Sequence, residues 1–344
     1  MATENRIEWV DVAKGIGILL VIAGHAFRLD KMSPIYAFHL PLFFFLSGMF
    51  AMSAYRISFA DYTKKIAKRL LVPWIVMLLI SGLVCLMIPS WRNQLTLSNI
   101  LRDLYSANTN VFQNSSLWFL PCMFFALEMF RGLDIVSRQR TVVKIGFLCL
   151  LAVALMLVLP HVKILPLPGG RIPFKIDTAA LACLFVASAA WLRGTIDYIF
   201  RRFSRWILII FVLLITIVAG YCNGWTNMNS LDFGYHRALY LPISYLGIIV
   251  ISLLSDKIST TQALNGVKFF FLFYGRNSLI IFGFQSLFLR LYLLVANKLF
   301  GLDMHLYAAN PVEHQVLSFG LIAFIISPIV VWAWKFLKEH GKLI

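Results

Sequence analysis

The stretch KGIGILLVIAGHAF, Lys14 to Phe27, is apolar apart from its opening lysine and a histidine near its end. With the residues before it, the run predicts a helix over 9–27, close to the ~20 residues that cross a bilayer. Lys14 and His25 are eleven positions apart, almost three whole turns. They therefore project from nearly one face, about 16 Å apart along the axis. Asp11 stands three residues before Lys14 and is placed to pair with it. Taken singly, Lys14 reads equally well as a snorkelling side chain and His25 as an interfacial one. Together on one stripe they read as the lining of a cavity or pathway. Gly15, Gly17 and Gly24 leave room for neighbouring helices to approach.

The whole chain repeats this character. Of 344 residues, 60% are hydrophobic and 13% charged, and mean hydropathy is +0.82. Soluble domains carry about 25% charged residues. The chain therefore reads as an all-α, polytopic transmembrane bundle. The net charge of +16 belongs to cytoplasmic loops rather than to nucleic-acid binding. The predicted spans run roughly 9–27, 35–55, 70–89, 117–130, 142–160, 174–192, 205–221, 238–255, 274–296 and 313–337. With the N-terminus inside, and with Lys144, Arg205 and Lys335 at span ends counted with the inner segments and Lys175 with the outer, 19 of the 31 Lys and Arg residues are inner and nine outer, leaving Lys14, Arg276 and Arg290 assigned to the spans. That bias places both termini in the cytoplasm. Glu4, Glu8 and Asp11 interrupt the N-terminal flank, which predicts an uncleaved first helix rather than a signal peptide. The longest connection, about 90–116, is too short for a soluble domain, so residues 1–344 read as one membrane domain. The five cysteines form no CxxC pair and read as small buried hydrophobes, with neither a metal site nor a disulfide framework indicated.

Other polar groups gather at the ends of predicted spans. His39 opens the second span after a short outer loop, at the same outer depth as His25. Ser47-Gly48 forms a small patch suited to close packing or a ligand. The segment KKIAKRLLVPW, Lys64 to Trp74, crowds Lys64, Lys65, Lys68 and Arg69 at the inner entrance of the third span. It reads as a positive-inside anchor or as a clamp for a phosphate-bearing cytosolic ligand. Trp118 lies at an outer boundary, Glu128 near the inner end of the fourth span, and Asp177 at the outer start of the sixth. Arg276 and Gln285 sit in the inner half of the ninth, where Arg276 is within reach of the basic cluster. Each of these taken alone reads more readily as structural.

These motifs resemble the acyltransferase-3 family of integral membrane acyltransferases, in particular its branch of fucose acetylases and surface-glycan O-acetyltransferases. The family's first helix carries a basic residue, ten intervening residues and a histidine, matched here by Lys14 and His25. FHLPLFFFLSGM, Phe38 to Met49, is similar to the family's FHMPLFFFLSGY run. KKIAKRLLVPW resembles the basic segment before its third helix; LWFLPCMFF and YGRNSLIIFGFQ resemble later signatures. Three positions depart from the pattern: Met49 follows Ser47-Gly48, Lys65-x-x-Lys68 replaces an Arg-x-x-Arg pair, and Gln285 stands where relatives often have histidine.

The resemblance implies acetyl-CoA as a cytosolic acyl donor and no metal. It implies a lipid-linked or cell-surface glycan acceptor, such as O-antigen, and a location in the bacterial inner membrane among its lipids. It assigns His25 as general base, with Lys14 and His39 as further catalytic candidates, and Lys64, Lys65, Lys68, Arg69 and Arg276 as donor-binding cations. Asp11, Ser47, Trp118 and Asp177 become substrate-binding candidates. An acyl-enzyme on His25 is compatible with the same residues. A transporter or flippase for a glycan or anionic substrate would use an intramembrane Lys14 and His25 equally well. A glycan polymerase would be expected to carry a larger outer loop.

Overall fold

The computed structural model describes residues 7–27, 33–52, 57–136, 141–162, 172–196, 198, 206–301 and 311–340. Helices α1 (Glu8–Ala26), α2 (Ser33–Gly48) and α3 (Phe59–Met87) are followed by a single turn α4 (Pro89–Arg92) and a short helix α5 (Leu97–Ser106). A 3₁₀ turn (Ser115–Trp118) leads into α6 (Phe119–Val136). Then come α7 (Thr141–Val162), α8 (Ile176–Trp191) and α9 (Trp206–Asn223). Strands β1 (Thr226–Asn227) and β2 (Asp232–Phe233) pair antiparallel before α10 (Arg237–Thr260), α11 (Asn265–Arg276) and α12 (Ser278–Phe300). The last helix is continuous in space: α13 (Val312–Gly320) passes through a π-helical stretch, Leu321–Ile326, into α14 (Ser327–His340).

The protein is an all-α polytopic bundle. Among the described residues, eight helices are long and apolar enough to cross a membrane, and two shorter apolar helices, Pro34–Gly48 and Val143–Leu159, accompany them. All ten predicted segments thus contain an apolar helix. The physical division is between an inner ring and an outer one. Helices α1, α6, α8 and α10 are mostly buried, whereas α3, α9 and the last helix present Leu79, Leu83, Ile207, Phe211, Phe324 and Trp332 outward. An unbroken apolar exterior of this kind is stable against lipid, not against water.

The glycines act at helix crossings. A Cβ on Gly15 would strike the Phe271 carbonyl, and one on Gly275 would strike the Asp11 carbonyl, so α1 and α11 touch backbone to backbone. Gly48 gives the same close approach of α2 to Val186 in α8. Lipid offers helices little hydrophobic reason to associate, so small residues that admit close packing take over that role.

The structure extends or corrects the sequence reading in four places. The run VKFFFLFYG before the predicted ninth span, placed either to lengthen or to break that helix, breaks it: α11 ends at Arg276, and α12 starts afresh at Ser278. The 90–116 connection, read only as too short for a soluble domain, carries a short amphipathic helix, α5, with the apolar Leu97 and Leu101 exposed. The basic segment is helical rather than a loop, because Ser58 caps α3 by accepting from the Asp61 amide (3.1 Å) and starts the helix eleven residues before Leu70. Cys149 and Cys222 are exposed, while Cys85, Cys122 and Cys183 are buried as expected, and none of the five is in a disulfide.

Buried polar groups knit the helices together. Asn114 donates its side-chain amide to Ser81 Oγ (3.0 Å) and to the Gly283 carbonyl (2.7 Å), joining the 3₁₀ turn to α3 and α12. Asp134 accepts from Lys144 Nζ (3.1 Å) and Trp191 Nε1 (2.7 Å), tying α6 to α7 and α8. Replacing Asn114 with alanine is expected to cost about 2 kcal/mol, because it leaves a buried carbonyl unpaired. Unfolding of the detergent-solubilised protein measures this, and an unchanged transition would remove Asn114 as a tie.

Candidate active site

Helices α1 and α2 run antiparallel in one register. Lys14 Nζ lies 5.3 Å from the centroid of the Phe50 ring. A Cβ on Gly17 would meet Leu42 and Phe43, and one on Gly24 would meet Tyr36. At the far end His25 lies within electrostatic reach of His39. The eleven residues from Lys14 to His25 are thus matched by the eleven from His39 to Phe50. The stripe read from α1 is one wall of a seam, and each end of the seam carries its own polar cluster.

At the His25 end, His39 is buried (2% exposed) and its Nδ1 lies 2.8 Å from the Ile35 carbonyl. A carbonyl only accepts, so Nδ1 carries the proton and Nε2 keeps its lone pair. Tyr36, one turn earlier, packs edge-on against the His39 ring at 4.8 Å and donates its hydroxyl to the Gly24 carbonyl (3.0 Å). That bond fixes the start of α2 against the end of α1. His25 itself is half-buried. Among the described residues its imidazole makes no hydrogen bond, while Arg290 of α12 lies within electrostatic reach. An imidazole uncommitted to the fold, beside a second imidazole of fixed tautomer and a guanidinium, is equipped to move a proton and steady an oxyanion.

At the Lys14 end, Asp11 bridges two cations, with Lys14 Nζ at 3.8 Å and Arg276 Nε at 3.6 Å. The pairing expected of Asp11 and Lys14 is present. Arg276 reaches it because α11 breaks at Asn277, so Arg276 caps the Lys14 end instead of lying inside a span.

The remaining predicted residues separate by burial. Lys64, Lys65, Lys68 and Arg69 are exposed on α3, opposite the buried stripe of Tyr62, Ile66 and Leu70. That stripe faces α6, where Thr63 donates to Glu128 (3.1 Å) and Arg131 lies 5.8 Å from the Tyr62 ring. Arg131 also donates to the Ile57 carbonyl (3.3 Å), seven residues beyond Phe50, so the four cations belong to the Lys14 end of the bundle. Ser47 is half-buried one turn before that end. Trp118 and Asp177 are buried in the fold. Trp118 is 4% exposed inside a 3₁₀ turn, with Lys175 Nζ 6.0 Å from its ring. Asp177 is 2% exposed and accepts from the Thr178 amide (2.6 Å). Both are built into the wall rather than presented at a surface.

The family model described as an acyltransferase domain, acyltransferase 3, matches residues 7–335. The chain belongs to the acyltransferase-3 family. The match takes in α1 to α14, so the bundle just described is that of an acyltransferase-3 membrane protein. It is also 29% identical over 239 residues to the nodulation protein NolL of Mesorhizobium japonicum. That alignment covers 65% of this chain and 57% of the relative, so the chain spans little more than half of that protein's length. No solved structure matches it.

Three residues beside this candidate site were not assigned to it from the sequence. Arg290 sits in an apolar run as an unexplained charge. Tyr36 is a helical turn before His39, a spacing that predicts contact. Trp225, whose ring centroid lies 4.4 Å from that of Tyr36, is almost two hundred residues away in sequence and gave no signal.

Proposed function

We propose that this membrane acyltransferase moves an acetyl group from cytosolic acetyl-CoA to a hydroxyl of a lipid-linked or cell-surface glycan. His25 is the general base. The observation that supports this reading is the α1–α2 seam, which holds an uncommitted imidazole at one end and a cationic cluster at the other. With both termini in the cytoplasm of a bacterial inner membrane, the Lys14 end faces the donor and the His25 end the acceptor.

His25 takes the proton of the acceptor hydroxyl as its oxygen attacks the thioester carbonyl. The C–S bond breaks, the thiolate of CoA leaves and is protonated, and the ester remains on the sugar. His39 orients His25 and shares the proton through its free Nε2. Arg290 lies on the side where negative charge develops on the carbonyl oxygen. Lys14 and Arg276, held by Asp11, and the exposed Lys64, Lys65, Lys68 and Arg69 supply positive charge for the donor's phosphates. The middle of the seam is filled by Leu42 and Phe43 against Gly17, so admitting the donor arm there requires those side chains to turn aside.

Substituting both Lys65 and Lys68 with glutamine tests the donor half. The donor KM is expected to rise about three- to tenfold, as for the loss of two exposed charge contacts, with the acceptor KM unchanged. An unchanged donor KM would leave the basic face as a topology signal alone.

A further inference from the structure

The segment between α9 and α10 folds into a small, rigid cap beside the His25 end. Asn223, fully buried at the end of α9, organises it. Its side-chain nitrogen donates to the Phe233 carbonyl (2.8 Å), its side-chain oxygen accepts from the His236 amide (2.9 Å), and its own carbonyl accepts from the Tyr235 amide (2.7 Å). Gly234 lies at φ +81, where a Cβ would strike Asn223, and Gly224 at φ +72, where one would strike the Tyr235 ring. Both need the left-handed region and the space, so the cap is preformed.

This cap borders an open cleft of about 430 Å³, a volume within the ~300–1,000 Å³ usual for small-molecule sites. Leu231 and Phe233 form its apolar part. Trp225, Tyr235, Asp232 and Arg237 bring two aromatic rings, a carboxylate and a guanidinium to its lining. Tyr235 is 80% exposed and Trp225 half-buried. Trp225 is also the cavity's link to the acyltransferase site: it packs on Tyr36, which touches His39 and bonds Gly24, the residue before His25.

We infer that the Trp225–Arg237 cavity binds a pyranose ring of the glycan acceptor and presents it to His25. The inference rests on the acyl-transfer reading and adds the acceptor's docking site. The chemistry selects a sugar. Indole and phenol faces stack on the C–H face of a pyranose. Asp232 and Arg237 offer an acceptor and a planar donor pair for its ring hydroxyls. A phosphate is disfavoured by the Asp232 carboxylate, and a purely apolar ligand by both charges. The cavity also lies at the end of the seam opposite the Lys14 cluster, so donor and acceptor need not compete for one entrance.

The experiment uses the full chain in lipid nanodiscs, with acetyl-CoA and methyl glycosides of glucose, galactose, rhamnose, fucose and N-acetylglucosamine as probes. Thiol release gives separate KM values for donor and acceptor. Trp225→Ala is expected to raise the acceptor KM about tenfold and Arg237→Gln a few-fold, as for losing one stacking or one charge-assisted contact, with the donor KM within twofold of wild type. Arg237 is exposed in the first turn of α10, so its variant remains informative if Trp225→Ala misfolds. Acceptor KM values within twofold of wild type in the folded variants overturn the inference and leave the transfer reading standing. Hydroxyl-radical footprinting supplies the readout that needs no turnover. The glycosides are expected to protect Trp225 and Tyr235 from oxidation, and no protection by any of them overturns the cavity as a sugar site. Protection without thiol release would sink the transfer reading and keep the cavity.

Discussion

Replacing His25 with alanine is expected to lower acyl transfer by about 10²- to 10⁴-fold, the range for losing a general base, while the protein stays folded and inserted. The second half of this expectation follows from the structure. His25 is half-buried at the end of α1, and among the described residues its imidazole makes no hydrogen bond that holds two helices together. The tie at that end is made instead by Tyr36 to the Gly24 carbonyl. His39 is a less clean probe, because it is buried and bonded to Ile35. Its removal would change packing and chemistry together. Thiol release from acetyl-CoA in the presence of acceptor, measured beside the unfolding transition of the same sample, separates the two effects. Near-normal transfer by a folded His25→Ala protein would remove His25 as the base.

Gly275→Val is expected to destabilise the bundle by about 3 kcal/mol, the upper part of the usual cost of overpacking. The first atom added at Gly275 runs into the Asp11 carbonyl, and the facing Gly15 is equally tight against Phe271. Backbone cannot rotate aside as a side chain can, so α1 and α11 must separate. Separation also pulls Arg276 from Asp11, a pair now 3.6 Å apart, so the donor KM should rise in whatever protein remains folded. Gly266 in the same helix is the control: a Cβ there meets nothing within 4 Å, and Gly266→Ala should leave the transition in place. Equal transitions for Gly275→Val and Gly266→Ala would mean that the α1–α11 crossing tolerates side chains.

The helical bundle and the stripe on α1 were legible in the sequence because both depend on local periodicity. Apolar run lengths mark helices, and a spacing of eleven puts Lys14 and His25 on one face whatever surrounds them. His39 was placed at the level of His25 by the shortness of the loop alone. What the sequence could not supply was the partner of each face. The break between Arg276 and Ser278 follows no proline. It falls where α11 lies across α1 at Gly15, a contact between positions some 260 apart. Trp118 and Asp177 read as boundary residues because each stands next to an apolar run, and their burial comes from tertiary packing that the sequence does not display. The cap around Trp225 is the clearest case. Its Gly224, Gly234 and Asn223 mark a turn, but only the fold carries that turn to Tyr36. The basic residues of α3 show the reverse. Their clustering was plain, and their exposed, helical placement leaves room for a phosphate ligand without identifying one.

The most direct test of acyl transfer is a mass balance. Purified protein in nanodiscs is given acetyl-CoA and a glycan acceptor, and free thiol and acceptor mass are followed together. Acyl transfer predicts thiol that appears only when acceptor is present, matched mole for mole by acceptor molecules that gain one acetyl group. Glycan that binds or crosses the membrane with no gain in mass and no thiol would contradict it and mark the seam as a transport pathway.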